Sequence, residues 1–276
     1  MNIVVSGLGI IGGSMAKAIK KYTDNFVYGI NRSREPLEKA LACGAIDEAA
    51  DESALETADM LILGIYPDAA VAFVKKNKSR IKKGCIVIDT CGIKSKICPA
   101  LKALAEENGF YFVGFHPMAG KEKNGFDVSE ADLFQGASGI ILPCGAPQTA
   151  VDNVAALVRK LGFGMTVFTT PEEHDRMIAF TSQLPHALAC AYVFSPRCMK
   201  HKGFSAGSYR DVSRVANINA ELWAELFIEN KEPLADEIQT LIDNLELIKK
   251  GIEKGDRREL AELLHRGKEI KEALGE

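Results

Sequence analysis

Gly7-Leu8-Gly9-Ile10-Ile11-Gly12 stands between the apolar run Ile3-Val4-Val5 and a helix-forming stretch through Ser14, Met15, Ala16, Ala18 and Ile19. Few backbone paths satisfy that order. A strand must end, turn sharply, and enter a helix that packs close against the strand. Gly7 allows the tight turn, Gly9 lets a pyrophosphate approach the main chain, and Gly12 lets helix and strand close up. The helix start adds free N–H groups and a partial positive charge. The chain therefore opens as a dinucleotide-binding unit, with Gly7, Leu8, Gly9, Ile10, Ile11 and Gly12 forming the phosphate loop.

The pattern downstream of the loop sets the fold class. Strand signals fall at Asn2–Ser6, Phe26–Ile30, Met60–Ile65, Cys85–Asp89, Tyr111–Phe115, Gly139–Leu142 and Met165–Phe168. Helical stretches fall between them at 10–22, 35–43, 68–79, 95–108 and 147–161. That alternation predicts an α/β fold, a Rossmann-type doubly wound sheet, over residues 1–170. After Thr169-Thr170-Pro171 the β-branched runs stop, and every long segment has helical spacing. Residues 171–276 are expected to form an all-α substrate and dimerisation domain. Its stripe of Leu234, Ile238, Leu241, Ile242, Leu245 and Ile248 exceeds what a thin domain needs for its own core, so a homodimer through this domain is expected. The alternative is a monomeric cap that packs the stripe internally.

The second strand bears on the choice of nucleotide. An acidic residue after it would accept from the ribose 2′-hydroxyl of NAD. Here Asn31 is followed by Arg32, Ser33 and Arg34. A neutral amide does not repel a 2′-phosphate, and guanidinium groups with a hydroxyl suit one, so NADP is expected over NAD. A solvated basic turn is the simpler alternative.

His116 is the leading catalytic candidate. It follows the aromatic and β-branched run Tyr111 to Phe115, at the carboxyl end of a strand, where open parallel sheets bind ligands. An imidazole there can take a proton near neutral pH. Pro117 and Gly120 fix a turn that holds Glu122 one bend away.

Bulk composition excludes several classes. The 276 residues are 47% hydrophobic with a net charge of −3, giving no electrostatic case for nucleic acid or a membrane surface. The basic run from Lys75 to Lys83 reads as a solvated helix end. Seven cysteines, an odd number without CxxC spacing, favour reduced thiols in the cytoplasm and no zinc site. No apolar stretch is long enough to span a bilayer, and the glycine-broken N-terminus lacks the basic start of a signal peptide.

With these pieces in place, the chain resembles the prephenate/arogenate dehydrogenase (TyrA) family of tyrosine biosynthesis along nearly its whole length. The carriers are the loop from Gly7 through Ser14, His116-Pro117-Met118-Ala119-Gly120-Lys121-Glu122, and Asp132-Leu133-Phe134-Gln135-Gly136-Ala137. Glu173-His174-Asp175, Leu184-Pro185-His186 and Tyr209-Arg210-Asp211-Val212-Ser213-Arg214-Val215-Ala216 follow in order. The resemblance implies oxidative decarboxylation of a cyclohexadienol, with hydride passing from ring C4 to a nicotinamide and carbon dioxide leaving as the ring becomes aromatic. It implies His116 as acceptor of the C4 hydroxyl proton and Arg214 as the cation for a substrate carboxylate. It places His186 opposite the substrate, with Ser182 one turn earlier, and gives Glu122 and Asp211 as acids pairing near the arginine. Trp223 matches an aromatic after that motif.

Two departures stand out. Gly92 occupies the place of a family serine in Asp89-Thr90-Cys91-Gly92-Ile93-Lys94, so Thr90, Ser95 or water is expected to supply the missing hydroxyl. Gln183 stands where many members have histidine. Prephenate is the expected substrate, with arogenate the alternative. A β-hydroxyacid dehydrogenase or imine reductase, and a non-catalytic nucleotide-sensing dimer, are further alternatives. Neither a fused chorismate mutase segment nor a regulatory domain is expected.

Overall fold

The computed structural model describes residues 1–121 and 123–275. The chain divides into two compact units, Met1–Ile178 with Ile218–Glu229, and Ala179–Asn217 with Asn230–Glu276.

The first unit is built on a sheet of β1 (Asn2–Ser6), β2 (Phe26–Ile30), β3 (Glu48–Ala49), β4 (Met60–Leu63), β5 (Ile86–Asp89), β6 (Tyr111–Pro117), β7 (Ser138–Leu142) and β8 (Met165–Phe168). Their order is β3-β2-β1-β4-β5-β6-β7-β8. The chain winds outward from β1 in one direction and then restarts at β4 on its other side. That reversal leaves the nucleotide crevice at the carboxyl ends of β1 and β4. Helices α1 (Ile10–Tyr22), α2 (Arg34–Ala42), α3 (Pro67–Asn77), α4 (Ile97–Asn108) and α5 (Gln148–Lys160) flank the sheet. Alternating strand residues feed opposite layers. Ile3, Val5, Ile88 and Phe115 pack with Met15 and Ile19 of α1 and Val154 and Val158 of α5. Val4, Leu61, Val87 and Phe112 pack with Val74 of α3 and Leu101 of α4.

Most expected elements stand within a residue or two of their sequence bounds. The sheet differs from a fully parallel one at a single step, since β7 pairs antiparallel with β6. The reason is local. Among the described residues of the connection there is a short 3-10 turn, Phe126–Val128, and no crossover helix, and the chain returns in the opposite sense. Pairing with β7 also carries β6 through His116 and Pro117, which face Ile140 and Gly139. β3, which has just Glu48 and Ala49, gave no apolar run to detect. β4 stops at Leu63 because Gly64 meets the phosphate loop. A Cβ there would lie 2.7 Å from the Gly7 carbonyl oxygen and 2.9 Å from the Gly12 Cα.

After α6 (Pro171–Ile178), a π-helical turn at Ala179–Gln183 leads into α7 (Leu184–Val193). Then come a 3-10 turn at Cys198–Lys200, α8 (Gly207–Ser213), a 3-10 turn at Arg214–Ala216, α9 (Ala220–Glu229), α10 (Lys231–Lys254) and α11 (Arg257–Ala273). In the second unit Gln183 is buried, and its side-chain oxygen accepts from the Asn230 amide at 2.7 Å. The residue is thus a packing partner for the start of α10. Much of the apolar stripe on α10 stays uncovered, with Ile242 46% and Leu245 51% exposed. No helix among the described residues is long and apolar enough to cross a membrane.

Candidate active site

The phosphate loop has the geometry its glycines require. Gly7 has φ +92°, and a Cβ on it would sit 2.5 Å from the Gly64 carbonyl oxygen. A Cβ on Gly12 would lie 1.9 Å from the Gly7 carbonyl oxygen, which no backbone shift of ordinary size relieves. Gly9 is different, with nothing within 4 Å of its Cβ direction. That open face adjoins the start of α1, where Gly9 caps the helix without a side-chain bond and leaves the first N–H groups free for an anion. The cradle fits a pyrophosphate.

Asn31 is tied to this loop. Its Oδ1 accepts from the Leu8 N–H at 3.0 Å, and its Nδ2 donates to the Ser33 carbonyl at 2.9 Å. A carboxylate could accept the first bond but not donate the second. Arg32 and Ser33 are exposed at the start of α2, while Arg34 reaches along the helix to Glu38 at 2.7 Å. The side chains expected to select the nucleotide thus share one edge of the crevice.

His116, one residue short of the end of β6, is partly buried. Its Nδ1 lies 2.9 Å from Nε2 of His174, and Nδ1 of His174 lies 2.7 Å from Oδ1 of Asp175. Both partners come from the first turns of α6 and are almost fully enclosed, His174 at 1% and Asp175 at 2% exposure. Burial holds the His116 pKa well below that of a free imidazole, and the Lys94 charge and the neighbouring His174 ring push it the same way. Burial pushes the Asp175 carboxyl up, but hydrogen bonds from His174, Ser95 and the Lys94 N–H outweigh it and keep the group below the usual carboxylate range.

Beneath the histidine lies a second buried cluster. Lys94 and Asp89 are both fully enclosed, and the Lys94 Nζ donates to Asp89 Oδ2 at 2.5 Å and to the Phe115 carbonyl at 2.6 Å. Asp89 also accepts from the N–H groups of Phe115 at 3.2 Å and Cys91 at 2.9 Å. Both remaining carboxylate bonds go to backbone, so the ion pair has few unmet demands. It clamps the end of β5 to β6 immediately before His116.

A Cβ on Gly92 would approach His116 Nε2 at 3.9 Å, so this ring nitrogen faces the glycine. The two hydroxyls that could stand in for the absent family serine both have partners in this structure. The Thr90 hydroxyl donates to the Leu63 carbonyl at 3.1 Å, and both the hydroxyl and the N–H of Ser95 serve Asp175.

In the second unit, His186 Nδ1 lies 2.7 Å from the Val215 carbonyl. The bond pins α7 to the turn that begins at Arg214. His186 and Arg214 are thereby brought to one place. Ser182 lies half-buried in the π-helical turn, a coil wider than an α-helix. Asp211 is exposed on α8 and pairs with its neighbour Arg210 at 3.4 Å, while Arg214 starts the following 3-10 turn. Trp223 packs edge-on against Phe227 in α9, ring centroids 5.7 Å apart. Glu122 lies outside the described residues.

His174, Asp175, Lys94 and Asp89 were not assigned roles from sequence. The Glu173-His174-Asp175 run was visible, but adjacent residues on a helix give no sign that a strand histidine lies against them. Asp89 ending an apolar strand, with Lys94 five positions later, was the available signal for the clamp.

Residues 15–167 match the family model for the prephenate dehydrogenase nucleotide-binding domain, and residues 170–266 match that for the prephenate dehydrogenase dimerization domain. The glycine loop lies ahead of the first matched span and rests on its own geometry. The chain is 29% identical to the prephenate dehydrogenase of Bacillus subtilis over 282 residues, covering 99% of this chain and 76% of that protein. It superposes on the crystal structure of Synechocystis arogenate dehydrogenase with a TM-score of 0.88 at 26% identity, covering 99% of this chain and 100% of that one. Prephenate dehydrogenase from Aquifex aeolicus, in complex with hydroxyphenyl propionate and NAD+, gives a TM-score of 0.84 at 26% identity, covering 99% and 98%. Both domains, in this order and over most of its length, place the chain in the prephenate dehydrogenase family.

Proposed function

We propose that this protein is an NAD(P)-dependent prephenate dehydrogenase that converts prephenate to 4-hydroxyphenylpyruvate and carbon dioxide. The observation that carries the reading is His116. Its imidazole is kept neutral by burial at the carboxyl edge of the sheet that also carries the phosphate loop. When bound, the nicotinamide accepts the hydride that leaves ring C4. His116 Nε2 takes the C4 hydroxyl proton as that hydride departs, then returns it to the phenolate oxygen once the ring carboxylate has left. Arg214 binds a substrate carboxylate through its planar fork, with His186, Ser182, Glu122 and Asp211 as the further substrate-binding and gating groups.

The nucleotide is NADP in preference to NAD. Asn31 offers no negative charge to a 2′-phosphate, and Arg32, Ser33 and Arg34 stand beside it. The enzyme works as a homodimer through its helical domain, supported by the dimerization-domain match and the uncovered Ile242 and Leu245. A cytoplasmic setting is supported by all seven cysteines being free.

Arogenate is the second reading, favoured by the likeness to the Synechocystis enzyme. Steady-state kinetics with prephenate and arogenate, each with NAD and NADP, test all of this. Turnover should be highest with prephenate and NADP. Higher kcat/KM with arogenate would reassign the substrate, and a clear NAD preference would refute the role given to Asn31 and its neighbours. A protein inert with all four pairs would refute the reading outright. Light scattering that gives the mass of one chain would remove the dimer.

A further inference from the structure

We propose that His174 and Asp175 form a positioning and proton-relay chain behind His116, which sets the tautomer His116 needs and takes up the charge it acquires in turnover. This rests on the reading of His116 as proton acceptor and goes beyond it.

The direction of every proton in the chain follows from its far end. Asp175 Oδ2 accepts from the Ser95 N–H at 2.7 Å, and both Asp175 oxygens face the Lys94 N–H, at 2.9 and 3.2 Å. A group so placed is an ionised acceptor. His174 Nδ1, 2.7 Å from Oδ1, must therefore carry a hydrogen. A neutral His174 then presents a lone pair at Nε2, which at 2.9 Å from His116 Nδ1 requires the hydrogen to sit on His116. His116 Nε2 is left with its lone pair, facing the open ground over Gly92. That is the atom a substrate hydroxyl needs.

The same chain can move a proton. When Nε2 of His116 takes the C4 hydroxyl proton, Nδ1 can release its own to Nε2 of His174. His174 then carries the positive charge with both nitrogens protonated, donating to Asp175 and to His116. The transfer reverses when the proton goes back to the phenolate oxygen, so no proton is gained or lost over the cycle. The charged groups around the pair decide where the cation rests. Lys94 opposes a cation on His116, with Asp89 bound to that ammonium, while Asp175 touches His174 directly. The positive charge is best held one residue back from the substrate.

Asp175→Asn is the sharpest test. With the amide oxygen at the Oδ2 position, the Ser95 N–H at 2.7 Å and the Lys94 N–H at 3.2 Å both keep an acceptor, so the new NH2 takes the Oδ1 position and donates to His174 Nδ1. The whole chain inverts, and His116 Nε2 acquires a hydrogen. A carboxylate-to-amide change behind a catalytic histidine can cost up to about 10⁴ in kcat through this wrong tautomer. Asp175→Asn should lower kcat by roughly 10²–10⁴, with substrate KM and nucleotide Kd within about twofold. His174→Gln still accepts from His116 through its amide oxygen but cannot take a proton. It should retain more activity than His174→Phe.

The tautomer is also read without any substrate. Long-range ¹H–¹⁵N spectra of the imidazole rings, assigned with His116→Asn among the 5 histidines, should show His116 protonated at Nδ1 in the wild type and at Nε2 in Asp175→Asn. Protonation at Nε2 in the folded wild type would overturn the proposal, as would wild-type kcat in both Asp175→Asn and His174→Phe. If wild-type protein turned over neither substrate, the functional reading would fail, while the ring spectra would still decide the tautomer.

Discussion

Replacing Lys94 with methionine should damage stability and catalysis through one physical cause. Methionine nearly matches the length of the lysine stem, so the loss is chiefly that of the ammonium. Asp89 would keep its bonds from the Phe115 and Cys91 N–H groups, at 3.2 and 2.9 Å, but would be left as a fully enclosed charge without a cation. The Phe115 carbonyl would lose its bond at 2.6 Å. Breaking a buried pair from one side costs about 3–5 kcal/mol. With a urea slope of roughly 2–3 kcal/mol/M, the unfolding midpoint should fall by on the order of 1–2 M. Adding Asp89→Asn removes the orphaned charge, so the double variant should recover part of the loss instead of adding to it. The catalytic effect has a definite sign. The Lys94 charge lowers the His116 pKa, so removing it lets that pKa rise, and the acid limb of kcat/KM should move to higher pH. Urea titrations of the single and double variants, with pH–rate profiles of the single variant, measure both. Additive losses in the double variant, or an acid limb that stays put, would refute the reasoning.

Gly12→Ala should fail to yield a folded nucleotide-binding protein, because its Cβ would stand 1.9 Å from the Gly7 carbonyl oxygen. Gly9→Val, whose side chain meets open space, should keep the wild-type urea midpoint while weakening nucleotide binding at least tenfold by fluorescence titration. Gly92→Val should fold normally and lower kcat/KM by about 10²-fold or more, since its branches would occupy the ground in front of His116 Nε2; an active valine variant would mean the substrate approaches from elsewhere. The depressed His116 pKa means the unfolded chain binds a proton more readily, so stability should fall as pH drops from about 6.5 toward the folded pKa. His116→Gln should flatten that slope by up to about 1.4 kcal/mol per pH unit, as read from urea midpoints.

The sheet was legible because its causes are local. Ile3-Val4-Val5 ahead of Gly7, and the β-branched runs at Ile86 and Tyr111, need only neighbours in sequence to be read as strands. The reversal of β7 was also local in origin. Its evidence was negative, no crossover helix among the described residues of the connection, and periodicity does not report a missing element. The need for glycine at position 64 is not legible in sequence, because it lies in contacts with Gly7 and Gly12, more than 50 positions earlier in the chain.

His116 was found from its strand and its motif, whereas the groups that set its chemistry were not. The physical difference is that a strand end can be read from period and composition, but a hydrogen-bond partner 58 positions away cannot. Asp175 sharpens the point. On sequence it is an acid in the first turns of a helix, where a favourable dipole already explains it. In the structure its carboxylate faces inward, takes the N–H groups of Lys94 and Ser95, and orients His174. Lys94 helps tie the two buried clusters together, giving its backbone N–H to Asp175 and its ammonium to Asp89. Moving this one residue would therefore disturb both the strand that carries His116 and the chain that sets its tautomer. The loop from Asp89 to Ser95 consequently has little freedom to change, and Gly92, the position facing His116 Nε2 within it, is the place where a side chain can be added without breaking either cluster.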